Sequence, residues 1–385
     1  MSAQVPPGSP SLPRRGSGGG PDTRRAVLAV ALVTWRAALR TRAAAVLAVL
    51  LAIVVGWLPG VLRDDGTALG RAQVVWTYAR GLAQALVCVG VVWLAADAPA
   101  RELRGGPAQL LGVRPLARGA WWLGWWLGVS ALVVTLSGLA GVLTAARVGV
   151  ANLPRPHRAI ALSAQPFTLA SGESRTWTLP PGARGELRLR PRCVLLDGPV
   201  LELQVGAHPP RRLALRADAC HTVALGRPAG GSLALRNRGA ETVAFGPGDG
   251  PTLLTPGGGR FATWLAGETI LALQLLLLAA LGCAAGSALS FPVAALVGLG
   301  YLVAAAHAPL LVPLAGQAGA AARLGLALTA GLHRWWPVGA LAEGRALGAP
   351  ELGGALATLG PATLGLVLLG VLVWRARELG RGDQP

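Results

Sequence analysis

Charge is missing from four long stretches of this chain, residues 43–62, 119–146, 269–322 and 352–374, and from a shorter fifth, 81–96. A helix of about 20 apolar residues crosses the hydrocarbon core of a bilayer, so 269–322 has room for two passes. The pattern predicts six spans, three on each side of one polar insert. The fold class it implies is an α-helical polytopic membrane protein, with six transmembrane helices and an extracytoplasmic β-sandwich inserted between helices 3 and 4.

Composition agrees with that class. The chain is 53% hydrophobic and 14% charged, against roughly 25% charged in soluble domains. Its net charge of +18 would suggest nucleic acid in a soluble protein. Here every basic residue is Arg and none is Lys, which reads as codon bias rather than a phosphate-binding face, and no nucleic-acid partner is expected. A P-loop also needs a Lys to reach the β- and γ-phosphates. ATP hydrolysis is therefore expected in another chain.

Short flanking loops set the orientation. Arg14, Arg15, Arg24, Arg25, Arg36, Arg40 and Arg42 precede the first span, and Arg101, Arg104, Arg114 and Arg118 lie in the 97–118 loop. Arg375, Arg377 and Arg381 follow the last span, whereas the opposite short loops hold Arg63, Arg71, Arg323, Arg334 and Arg345. Both termini are thus expected in the cytoplasm and the insert outside it, in a cell (inner) membrane protein. The first apolar stretch has no A-x-A site after it and reads as an uncleaved anchor. Trp121, Trp122, Trp264 and Trp374 sit at predicted span ends, as an aromatic belt would place them.

The chain divides into a Pro-, Gly- and Ser-rich tail at 1–23, an interfacial helix and spans one to three at 24–146, the insert at 147–262, spans four to six at 263–376, and a tail at 377–385. Within 24–42, Arg36, Arg40 and Arg42 recur at roughly helical spacing. That predicts an amphipathic helix on the membrane face; the alternative is a plain extension of the first span. Arg80 falls near one end of span two, where it can snorkel to headgroups or line a cavity. Glu268, near the start of span four, reads as helix N-terminal stabilisation. The Trp pairs 121/122 and 125/126 read as interfacial anchors.

The insert alternates with period two in 186–190, 201–205, 212–216, 232–236 and 241–245, between Pro and Gly clusters, which predicts half-buried strands. Cys193 and Cys220 lie within it and either form a disulfide or stand as two separate thiols. His208 and His221 lack the CxxC that a zinc site would bring. No metal, cofactor or catalytic set is expected. Ser287 and Ser290 have no neighbouring base, and His307 stands alone.

The loop after span two is the most specific local signal: Glu102, Gly106, the Leu110–Leu111 pair, Pro115 and Arg118 follow one another there, and the run resembles the cytoplasmic helix of ABC-2-type transporter permeases. That family places a Glu before a Gly-Thr-like pair, then two or three Leu, then Pro-x-x-Arg, just before the third span. The matching positions are Glu102, Gly106, Leu110, Leu111, Pro115 and Arg118, with Arg101 adding peripheral charge; Pro107 stands where a Thr is usual. The 36–42 stretch resembles the family's entry helix, 288–294 its turn between spans four and five, and 375–379 its closing tail. The resemblance implies an exporter permease with an ABC ATPase subunit, a second permease subunit and membrane lipid as partners, and with ATP used by the partner. The alternative is a non-transporting receptor or scaffold that displays a ligand-binding β-domain.

Overall fold

The computed structural model describes residues 21–62, 68–104, 117–149, 155–163, 165–180, 185–193, 199–216, 221–226, 231–246, 249–311, 319, 329 and 331–376. Among them, seven helices of fifteen or more residues carry the apolar part: α1 Pro21–Leu39, α2 Arg42–Gly56, α3 Gly81–Arg104, α4 Arg118–Val148, α5 Arg260–Ala288, α6 Phe291–Ala306 and α7 Ala349–Ala376. A short helix Ala68–Val74 and a π-helical turn Val75–Arg80 run directly into α3.

Among the described residues five segments are long and apolar enough to cross a bilayer: Arg42–Val61, Gly70–Glu102, Arg118–Val148, Arg260–Ala288 and Ala349–Ala376. Their surfaces explain what surrounds them. Leu356, Leu364, Leu368, Leu369 and Leu372 of α7 are each more than half exposed, an apolar surface that water does not tolerate at this size. The length and composition of the five segments are compatible with a helical membrane protein that contains a sheet domain. The stretch predicted as the fifth of six spans is different: α6 has 16 residues, about 24 Å at 1.5 Å per residue, short of a ~30 Å hydrocarbon core. It stops at His307, and Ala308–Leu311 forms a separate turn of helix.

Close helix approach is built on two Gly-x-x-x-Gly spacings. Gly124 and Gly128 of α4 seat α1, and a β-carbon at Gly128 would lie 2.5 Å from the Ala31 carbonyl oxygen. Gly282 and Gly286 of α5 seat α3, where a β-carbon at Gly282 would lie 2.6 Å from Ala95 Cβ and one at Gly286 2.9 Å from Pro99 Cγ. Without a hydrophobic drive between helices in lipid, such small-residue seams let backbones meet. α1 is thus docked along α4. It is not a continuation of α2, because Thr41 breaks the chain between them. The Thr41 hydroxyl donates to the Ala38 carbonyl at 2.7 Å and accepts the Ala44 N–H at 3.1 Å, closing one helix and capping the next.

Trp122 and Trp125 are not interfacial anchors. They are 0% and 2% exposed. Trp122 Nε1 donates to Ser287 Oγ at 3.0 Å, and Trp125 meets Trp374 edge-on at 4.8 Å. Their indoles fill the space between α4, α5 and α7, which offers more apolar contact than the interface would.

Ten antiparallel strands are found among the described residues of the insert. One sheet runs β1(His157–Ala161)-β10(Thr252–Pro256)-β4(Gly185–Leu189)-β7(His221–Gly226). A second runs β3(Ser174–Thr178)-β8(Ser232–Asn237)-β5(Val200–Val205)-β6(Arg211–Ala214), and β2(Phe167–Leu169) pairs with β9(Val243–Phe245). Leu187, Leu189 and Leu253 from the first sheet share one core with Leu201, Leu203, Leu233 and Leu235 from the second. The alternating runs of the sequence are β4, β5, β6, β8 and β9, because period two puts every second side chain into that core.

The sheet domain joins the helices through β1. His157 N donates to the Gly344 carbonyl at 2.8 Å, and Ala346 N donates to the His157 carbonyl at 2.7 Å. A parallel bridge His157–Arg345 results, just ahead of α7, which begins at Ala349. The N-terminal ends of α5 and α7 therefore meet the sheet domain, and Val148 at the C-terminal end of α4 belongs to the same apolar cluster as Trp264 and Leu347.

Candidate functional site

A buried charge network ties three of the long apolar segments together. Arg80, in the π-turn ahead of α3, is 0% exposed. Its Nε donates to Glu268 Oε1 of α5 at 3.1 Å and its Nη2 to Glu268 Oε2 at 2.7 Å, a bidentate fork on the carboxylate. Nη1 donates to Gln84 Oε1 at 3.1 Å and Nη2 to Ser137 Oγ of α4 at 3.0 Å. The Ser137 hydroxyl donates to the same Gln84 oxygen at 2.9 Å. Four of the five guanidinium N–H donors are therefore used.

Local structure sets this up. Arg80 and Gln84 stand four residues apart and so share a helix face, and the π-turn gives the helix one wider turn just before it. Such π-bulges concentrate at functional sites. Arg80 lies ten residues into its segment and Glu268 eight into α5, about 15 Å and 12 Å from the ends nearest the sheet domain. Gly141 of α4 leaves room for the carboxylate: a β-carbon there would stand 2.5 Å from Glu268 Oε1. Toward the sheet domain Trp76, 0% exposed, packs with Ala145, Leu341 and Ala342.

Two sequence readings change here. Arg80 does not snorkel; it turns inward because a partner carboxylate and two polar side chains satisfy it. Glu268 is not an N-terminal dipole partner, since it sits two turns into α5 and is only 12% exposed. The usable signal was one Arg and one Glu, each alone within an apolar stretch. Intramembrane charges pair with one another.

Of the residues matched to the permease motif, Arg101, Glu102 and Arg118 are described, and they lie at the other end of the helices. Arg101, on the last turn of α3, is 47% exposed at its side chain and forms an ion pair with Asp97. Glu102 is half-buried on the same turn. Arg118 opens α4 and its Nη1 donates to the Arg375 carbonyl of α7 at 3.2 Å. Gly106, Leu110, Leu111 and Pro115 lie outside the described residues. Of the cysteine pair, Cys193 is half-buried just after β4 and Cys220 lies outside the described residues. Among the described residues no three His, Cys, Asp or Glu side chains group as metal ligands do.

No protein-family model matches the chain, and no curated protein is detectably similar to it in sequence.

Proposed function

We propose that this chain is the membrane-spanning permease subunit of an ATP-driven ABC-2-type exporter, coupled to a separate ATPase subunit and paired with a second permease subunit. The observation that carries the reading is the Arg80–Glu268 pair. Desolvating two charges within apolar helices is costly, and ionisable groups held inside a bundle mark pathways for cargo. Here the pair clamps α3, α4 and α5 at the end next to the sheet domain, the place to hold an exit closed. The 97–118 sequence carries the motif that resembles a coupling helix, in which Leu110 and Leu111 would be apolar anchors for a groove on the ATPase and Arg101, Glu102, Gly106, Pro115 and Arg118 complete the match.

In this reading six passes put both termini in the cytoplasm of a cell-membrane protein and the β-sandwich outside. ATP-dependent closure of the ATPase pair pulls on α3 and α4, and the network releases at the far end. Replacing Leu110 and Leu111 with Asp tests the coupling role. The expected result is loss of the co-purifying ATPase with the chain still in the membrane; undiminished recovery would refute it.

A further inference from the structure

Two edge strands flank an opening into the sandwich. β6 is the last strand of the second sheet and β7 the last of the first. The cleft between them holds about 390 Å³, within the roughly 300–1,000 Å³ range of small-molecule sites. Leu203, Val205 and Pro209 of the β5–β6 hairpin line one wall and Val223 and Leu225 of β7 the other, with Arg211 at the same opening. Leu203, Val205 and Leu225 belong to the sandwich core, so the cleft is an unfilled edge of that core.

Register places Arg211 on the inner face. It stands directly opposite Leu203 in the antiparallel ladder, and paired residues share a face. Leu203 is 2% exposed and packs in the core. A guanidinium is thus set beside apolar side chains, and it has no ion-pair or hydrogen-bond partner among the described residues. The carboxylate of β5, Glu202, alternates to the outer face and accepts from Arg238 Nε at 2.8 Å. Pro209, Pro210 and Arg212 blunt this edge against an added strand. The cleft is also remote from the helix junction: β7 lies three strand spacings from β1, about 14 Å.

We infer that this cleft binds a single-chain fatty carboxylate, its chain along Leu203, Val205, Val223 and Leu225 and its head on Arg211. A guanidinium fork meets one carboxylate with two parallel hydrogen bonds, and one unpaired cation balances one negative charge. A methylene occupies about as much space as a water molecule, roughly 30 Å³. The cleft therefore has room for one chain of about a dozen carbons, and not for the two chains of a phospholipid.

Photolabelling of the full chain in amphipol with a diazirine derivative of tetradecanoic acid tests this, the labelled peptides being mapped by mass spectrometry. Peptides of β5, β6 and β7 should be labelled. Unlabelled myristate should displace the probe from them, and tetradecanol, which lacks the charge, should not. Arg211→Gln should raise the myristate concentration for half-displacement roughly tenfold. Val223→Trp, which keeps the guanidinium and fills the space, should do the same. Arg212→Gln, an equal charge change on the outer face, should match wild type. Labelling of α7, whose exposed leucines take up any apolar probe, should stay constant in every variant and is the internal reference. Labelling confined to the helices, displacement by tetradecanol as effective as by myristate, stronger displacement by myristoyl lysophosphatidate, or an Arg211→Gln profile identical to wild type would overturn the inference.

Discussion

The carboxylate of Glu268 occupies the space in which Gly141 would carry a side chain, with its Oε1 2.5 Å from that β-carbon position. The absence of a side chain on α4 is thus a condition for the ion pair on α3 and α5. Gly141→Ala should displace Glu268 and destabilise the protein in the same direction as Glu268→Gln. Because both act through one contact, combining them should cost far less than the sum of the two. Unfolding midpoints in detergent for the two single variants and the double variant check this.

Removing one partner of a buried pair leaves an uncompensated charge, at a cost of about 3–5 kcal/mol. Arg80→Met and Glu268→Leu should each lose that much stability. Arg80→Met/Glu268→Leu should recover most of it, since neither charge then needs a partner. If the pair also holds a pathway closed, the recovered double variant should leak small solutes in proteoliposomes while wild type does not. Equilibrium unfolding and a dye-release assay read the two effects separately.

The helices and strands were legible because burial imposes simple periods: uncharged runs near span length, and period-two alternation in β4, β5 and β8. The network was not, because pairing between Arg80 and Glu268 spans 188 positions. A single residue in an apolar run says only that it needs a partner, not where that partner lies. The two Gly-x-x-x-Gly seams were present in the sequence, but 54 glycines dilute the signal. Packing alone distinguishes Gly128 from Gly138, whose β-carbon would meet nothing within 4 Å. The Trp pairs misled for the same reason, since a Trp at a span end fits an interface and an interior equally until its neighbours are known.

Gly128→Leu should lift α1 from α4, because the new side chain meets the Ala31 carbonyl and Thr34. Overpacking of this kind costs about 1–3 kcal/mol, enough to raise the undocked population of α1 roughly tenfold. Trypsin should then cut at Arg36 and Arg40 correspondingly faster, with later cleavage elsewhere unchanged. Gly138→Leu, on the same helix, is the matched control and should cut at the wild-type rate.

His157 gives the junction a pH dependence. Burial pushes its pKa below the usual value, with Arg188 adding to the effect, while the Arg155 carbonyl, Glu186 and Glu343 oppose it. The folded state therefore favours the neutral ring. Its contribution to stability is complete above about pH 6.5 and is lost as pH falls through the lowered folded pKa. Thermal melts from pH 8 to pH 5 should show an acid-side loss in wild type that is reduced in His157→Phe.

The most direct test of the whole account is what accompanies the full chain when it is extracted from its native membrane in mild detergent. The account predicts a second protein with a Lys-containing P-loop, bound in a stable complex that hydrolyses ATP and that falls apart in the Leu110→Asp/Leu111→Asp variant. A pure, stable chain with no nucleotide-hydrolysing companion would contradict it.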